Sequence, residues 1–261
     1  MKIRNCEIIC GDCCEKVKEL IDKGVKVDLT ITSPPYDDLR YYLGGPKFVE
    51  ETWRKFIPLL YEVTNDGGVV VWIVNDRTKN GSKTGTSFKQ ALAFMEAGFN
   101  LNDTMIWEKT NPMPQVAQPR YNQSFEYMFV FSKGKPKTFN PIKVPCKCAG
   151  QDYDSTCKNM GGENGRTKKH FTINKDKVKS NIWKCAVAQN KNLGNHPAIF
   201  PIQLVIDHIL SWTNEGDTVF DPFVGSGTSG MAAMQLKRNF IGIDIVPEYC
   251  DIAIKNISFF N

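Results

Sequence analysis

Two short stretches of this chain carry residue types that could do chemistry. Late in the sequence, Phe220-Asp221-Pro222-Phe223-Val224-Gly225-Ser226-Gly227-Thr228-Ser229-Gly230 spells G-x-G-x-x-G at Gly225, Gly227 and Gly230, and Asp244 ends the next apolar run. Glycines in such a turn let a ligand approach the backbone at a helix N-terminus, and the acidic residue suits a ribose diol. Early in the sequence stands Thr32-Ser33-Pro34-Pro35-Tyr36. Consecutive prolines stiffen the backbone, so the Ser33 hydroxyl and the Pro34 carbonyl become fixed acceptors, and Tyr36 offers a ring face. Two acceptors and a π-face form a receptor for a planar ring bearing an exocyclic amine. Each stretch also has a plainer reading, as a glycine-rich turn without ligand and as a proline turn with a packing tyrosine.

The glycine fingerprint alone fits a dinucleotide-dependent oxidoreductase. Only one βα unit can follow Gly227 before the chain ends at Asn261. The remaining strands must therefore come from the N-terminal part, an order unusual for enzymes using nicotinamide dinucleotides. Asp221 at the strand tip would also repel a pyrophosphate. A ligand with an ammonium and a sulfonium suits it better. S-adenosylmethionine meets these demands: a ribose diol for Asp244, an ammonium for Asp221, and a carboxylate facing the helix start at Gly227-Thr228.

The elements that must position these stretches follow from apolar spacing. Short β-branched or apolar runs predict seven strands: 7–10, 27–32, 69–74, 103–107, 125–131, 218–220 and 240–244. Three-to-four spacing predicts helices over 13–21, 48–63, 88–97, 202–212, 227–236 and 247–257, with Pro58 kinking the second. Residues 65–68 read as a turn and 76–87 as a loop. Strands alternating with helices imply an α/β fold: a Rossmann-like, doubly wound, mostly parallel sheet of about seven strands.

Residues 133–195 break that rhythm and read as an inserted irregular module outside the main sheet. They hold 14 Lys/Arg against 4 Asp/Glu within a chain of net charge +5. A basic insert in a mildly acidic body suits a polyanion, or is a solvated loop. Cys146, Cys148, Cys157, His170 and Cys185 match no common zinc spacing, and no metal site is expected. The nine cysteines are irregularly spaced and read as free thiols. No apolar run approaches a membrane span, and the N-terminus lacks a signal-peptide core, so a cytoplasmic protein is expected.

Together, Thr32-Ser33-Pro34-Pro35-Tyr36 early and Phe220 through Thr228 late resemble the DNA amino-methyltransferases of the permuted β group. Ile106-Trp107-Glu108-Lys109-Thr110-Asn111-Pro112, Phe125-Glu126-Tyr127, Asn181-Ile182-Trp183 and His196-Pro197-Ala198-Ile199-Phe200-Pro201 resemble further segments of that family. The resemblance implies a catalytic half at 1–132, a basic target-recognition module at 133–195 and a cofactor-binding half at 196–261. It implies catalytic Ser33, Pro34, Pro35 and Tyr36, with Tyr36 stacking on a flipped base and Trp107 either its opposite wall or core. It adds Asp12 and Phe223 to Asp221, Gly225, Gly227, Thr228 and Asp244 as cofactor residues, with Asp12 facing the adenine amine or serving as a turn aspartate. Double-stranded DNA is the implied partner, with a cognate restriction endonuclease as a possible second, in a prokaryotic or phage-encoded setting. Ser at the first motif position is commonest in the family's cytosine-N4 enzymes and Asp in its adenine-N6 enzymes, so cytosine N4 is favoured and adenine N6 is the alternative.

Overall fold

The computed structural model describes residues 2–3, 5–35, 48–114, 119–158, 166–187 and 201–259. The helices among the described residues are α1 (Cys13–Asp22), α2 (Glu50–Val63), α3 (Thr86–Glu96), α4 (Ile202–Trp212), α5 (Thr228–Gln235) and α6 (Pro247–Ser258). The strands are β1 (Lys2–Ile3), β2 (Cys6–Cys10), β3 (Val27–Thr32), β4 (Thr64–Val74), β5 (Thr78–Lys79), β6 (Ser82–Lys83), β7 (Asn100–Lys109) and β8 (Phe125–Ser132), then β9 (Lys143–Pro145), β10 (Asp152–Lys158), β11 (Arg166–Thr172), β12 (Asp176–Val178), β13 (Ile182–Cys185), β14 (Thr218–Asp221) and β15 (Asn239–Asp244).

One nine-stranded sheet runs in the order β1-β2-β15-β14-β3-β4-β8-β7-β13. Neighbours from β2 to β4 are parallel, as are β7 and β13; β1, β8 and the β7–β8 pair supply the antiparallel contacts. The sheet is thus mostly parallel. Its middle strands are apolar on both faces because helices cover both. Val70, Trp72 and Val74 of β4 belong to the core that α1, α2 and α3 complete through Val17, Leu20, Trp53, Phe56, Leu60 and Phe94. Val69, Val71 and Ile73, equally buried, alternate to the other face. Helix α4 packs against β3, and α5 and α6 against β14, β15 and β2.

All seven expected strands are present. Two more join the sheet at its edges, the short β1 and β13. Ile182–Cys185 lies inside the stretch read as irregular, yet it pairs in parallel with Ile106–Lys109. Residues 65–68 begin β4, with a bulge opposite Val27–Leu29, rather than forming a separate turn. Helix α2 continues through Pro58. Pro58 is exposed, so water can serve the carbonyl its ring leaves unpaired, while Trp53, Phe56, Ile57 and Leu60 anchor both sides. The expected loop at 76–87 contains the β5–β6 hairpin, whose Asn80-Gly81 turn has φ of 50° and 76°. Positive φ at both turn residues is the geometry that two-residue hairpins favour.

Residues 141–180 form a separate compact unit. It consists of two antiparallel ribbons, β9–β12 and β10–β11. Within it Tyr153 and Phe171 pair their rings at 5.6 Å, and His170 Nδ1 lies 2.7 Å from Asp154 Oδ1. No helix among the described residues is long and apolar enough to cross a membrane.

Candidate active site

The parallel strands β2, β15, β14, β3 and β4 all end at the same edge of the sheet. Cys10 is level with Asp244, Asp221 with Gly242, and Thr32 with Trp72. The chain segments leaving these tips therefore emerge side by side: Gly11-Asp12, Asp244-Ile245-Val246, the glycine turn after Asp221, and Ser33-Pro34-Pro35. Between β14 and β3 the winding reverses, since β3 leads through α2 to β4 and β14 leads through α5 to β15. Open α/β sheets place their ligand crevice at such a reversal.

One hydrogen bond spans that point. Thr32 Oγ1 donates to Asp221 Oδ1 at 2.6 Å, joining residues 189 positions apart. Asp221 Oδ1 also accepts the Phe223 amide at 3.0 Å, and Oδ2 accepts Ser229 Oγ at 2.5 Å. Asp221 is 1% exposed. Burial pushes its carboxyl up to about 6, against the pull of Ser229, Thr32 and the Phe223 amide, and nearby Asp244 adds to the rise. Sequence reasoning pairs Asp221 with an ammonium group; in the structure its carboxylate is buried and accepts from Thr32, Ser229 and the Phe223 amide, linking the early and the late loop.

Asp244 holds the glycine turn. Its Oδ2 accepts the Gly225 amide at 2.9 Å and its Oδ1 the Val246 amide at 3.0 Å. An ionised carboxylate has about four acceptor positions, so Asp244, partly exposed, keeps capacity for hydroxyl donors. Burial raises its carboxyl even so. Asn256 Nδ2 of α6 fixes the turn from below through Ser226 O at 2.9 Å. Gly225 and Gly227 have φ of 50° and 85°, and a Cβ on Gly227 would stand 3.0 Å from Ala253 Cα. Gly230 serves packing: its Cβ would meet Ile257 and Phe240 side chains at 2.3 and 2.8 Å. Thr228, 3% exposed, opens α5.

Asp12 is the cap of α1, with Oδ1 accepting the Cys14 and Glu15 amides at 2.9 and 3.1 Å. The Gly11 amide meanwhile donates to Asp244 O, so Asp12 adjoins the β15 tip. Phe223 turns into an aromatic cluster with Phe48 at 4.8 Å and Phe56 at 5.7 Å. Ser33 and Pro35 are half-buried and Pro34 is buried. Tyr36 and 196–200 lie outside the described residues. Trp107 is core: it is 3% exposed and donates from Nε1 to Cys185 O at 2.9 Å. Burial pushes the Cys250 thiol beside Asp244 up to about 12, so it stays protonated.

A family model described as DNA methylase, of the N6/N4 methyltransferase type, matches residues 27–255. The chain belongs to this DNA methylase family. The orphan methyltransferase M.BamHII of Bacillus amyloliquefaciens is 50% identical over 235 residues, which cover 87% of each chain. The type II methyltransferase M.SmaI of Serratia marcescens is 26% identical, over 98% of this chain and 91% of its own. Among solved structures, the M1.HpyAVI–SAM complex superposes with a TM-score of 0.63 at 26% identity, covering 96% of this chain and 99% of the other. The PvuII DNA methyltransferase, described as cytosine-N4-specific, shares the fold with a TM-score of 0.68 at 17% identity, covering 99% and 92%.

In this DNA methylase, sequence reasoning missed Thr32 and Ser229. Neither has a local signature, because their common partner Asp221 is brought to them only by the β3–β14 pairing and by the first turn of α5.

Proposed function

We propose that this DNA methylase moves a methyl group from S-adenosylmethionine to the exocyclic amine of a base flipped out of double-stranded DNA, and that the base is cytosine, methylated at N4. The observation that carries the reading is the Thr32–Asp221 hydrogen bond, which ties the Ser33-Pro34-Pro35 loop to the glycine turn at the reversal point of the sheet. The residues present fit the cofactor: Asp244 retains acceptor capacity at its strand tip, Gly225 and Gly227 give the turn its left-handed backbone, and Asp12 stands on the neighbouring tip. The likeness to M1.HpyAVI, solved with SAM, supports the same ligand. When bound, S-adenosylmethionine supplies a methyl group activated by its sulfonium.

Everything else is positioning. The amine of a base is a weak nucleophile because its lone pair is delocalised into the ring. Ser33 Oγ and the Pro34 carbonyl would accept its two N–H groups, which would let the nitrogen pyramidalise and free its lone pair for the methyl, and the proton the amine gives up on methylation would pass to solvent. The amine cannot be reached inside a duplex, so the base is extruded into the cleft, with Tyr36 stacking on it. Asp221 acts as a positioning residue through Thr32. Phe223 and Thr228 hold the cofactor turn from the core side. Residues 141–180, with nine Lys/Arg against four Asp/Glu, contribute phosphate and base contacts to DNA, inside the 133–195 recognition module. Ser33 favours cytosine over adenine through the family resemblance. We place the protein in the bacterial cytoplasm with the DNA it modifies, and a cognate restriction endonuclease belongs to this reading only if one is found beside it.

The test separates the two loops. Ser33→Ala is expected to keep calorimetric binding of S-adenosylmethionine and to lose methyl transfer by about 100-fold or more. Asp244→Ala is expected to weaken cofactor binding foremost. Wild-type turnover by Ser33→Ala would remove the early loop from the chemistry.

A further inference from the structure

The β5–β6 hairpin leaves β4 at Val74, two residues past the position level with Thr32, and so stands at the edge of the sheet that carries Ser33 and Pro34. Lys83 and Thr78 are cross-strand partners in it. Arg120, arriving from the segment before β8, donates from Nη1 to Thr78 Oγ1 at 3.1 Å and from Nη2 to Gly81 O at 2.7 Å. Lys83 Nζ donates to Asp76 O at 3.2 Å and to Gln123 Oε1 at 3.0 Å. Two cations thus share one short hairpin, and every acceptor they use is neutral. Among the described residues neither makes an ion pair. The carboxylate of Asp76 makes no hydrogen bond to either: it is buried and accepts the Ser87 amide and hydroxyl, both at 2.9 Å.

Two like charges held together by neutral groups repel each other; Lys83 is exposed and Arg120 half-buried, so water screens only part of that repulsion. Burial depresses the Lys83 ammonium, and Arg120 adds to that depression against the pull of Asp76. Arg120 Nε is buried and lacks an acceptor among the described residues. An anion lying against both side chains would relieve the repulsion. Free phosphate could do so, but the edge they occupy is the one where a flipped nucleotide must enter, and that nucleotide carries a phosphodiester on either side. We propose that Lys83 and Arg120 grip a phosphodiester of the DNA strand whose base enters the cleft. The proposal rests on the reading of that cleft as the DNA methyl-transfer site. It gives the hairpin a task the sequence motifs do not show: holding the backbone while the base swings out.

The experiment follows kcat/KM for transfer of labelled methyl groups from S-adenosylmethionine to genomic DNA of an unmodified host, as a function of salt. Each phosphate contact contributes about 0.9 to the slope of log affinity against log salt. The Lys83→Gln/Arg120→Gln double variant is expected to make that slope shallower by about this amount and to raise KM for DNA about tenfold, and each single variant to produce part of both changes. Calorimetric binding of S-adenosylmethionine stays at the wild-type value, and Lys83→Arg restores the slope. Lys237→Gln, exposed at the opposite edge beside Glu215, keeps the wild-type slope. Gln variants with wild-type slope and KM, in a wild-type protein that does methylate DNA, would overturn the phosphate grip alone. A wild-type protein that transfers no methyl to any DNA would overturn the reading beneath it and the grip together.

Discussion

Thr32 and Ser229 bring hydroxyl groups to Asp221, a carboxylate so shielded from water that losing either donor has a direct cost. Thr32→Val removes the 2.6 Å hydrogen bond and keeps the shape. Chemical denaturation should show a loss of about 1–3 kcal/mol. Methyl transfer should fall while binding of cofactor and of DNA each stays within a few-fold, because the loop proposed to grip the amine loses its tether. Asp221 also sets a pH dependence. Its carboxyl stands at about 6 in the folded protein against an ordinary 3.8. Between these values the folded chain binds more protons than the unfolded one, so this residue lowers stability as pH rises through that window. Asp221→Asn removes the effect, and the two hydroxyls can turn to suit the amide. The variant's stability relative to wild type should therefore climb by on the order of 2–3 kcal/mol from about pH 4 to about pH 7 in urea titrations. A difference that stayed flat would place the burial penalty elsewhere. The sequence showed Asp221, the glycines and Asp244 as residues of consequence. It did not show that Asp221 faces inward, because burial is decided by strands β3 and β14, far apart in the chain.

Helix α5 and its turn illustrate what an element can reveal alone. The three glycines were readable as a ligand turn, yet their tasks differ. Gly225 and Gly227 adopt left-handed backbone, whereas Gly230 makes room for Ile257 and Phe240. Gly230→Ala should cost about 1–3 kcal/mol by overpacking, read as a lower melting temperature, and Ile257→Val, which removes the Cδ1 a Cβ at 230 would meet, should cost less in the Gly230→Ala chain than in the wild type. A Gly230→Ala protein as stable as wild type would mean that α5 and α6 can slide apart freely. Helices and buried strands were readable because their apolar periodicity is strong. The β5–β6 hairpin was not, although Asn80-Gly81 carries the hairpin signal, because its two-residue strands lack an apolar face. Strand β13 was hidden for a related reason: Ile182–Cys185 is an edge strand of four residues in a polar stretch, and only its register with Ile106–Lys109 makes it a strand.

For the whole molecule, chain order and spatial order disagree, and function follows the spatial one. The late β14–β15 pair is inserted between β2 and β3, so the cofactor turn and the Ser33-Pro34-Pro35 loop meet although nearly 190 residues separate them. The sequence implied that meeting through its two motifs. The basic insert was visible as charge, but its division into two antiparallel ribbons was not, since the described side chains of those ribbons are exposed or half-buried and leave no apolar pattern. The central claim is that this assembly methylates the amine of cytosine in DNA. The most direct measurement is mass spectrometry of nucleosides from DNA of a methylation-deficient host expressing the wild-type chain or Ser33→Ala. N4-methyldeoxycytidine with the wild type, and its loss with Ser33→Ala, is the predicted result. N6-methyldeoxyadenosine in its place, or neither modified nucleoside, would contradict it.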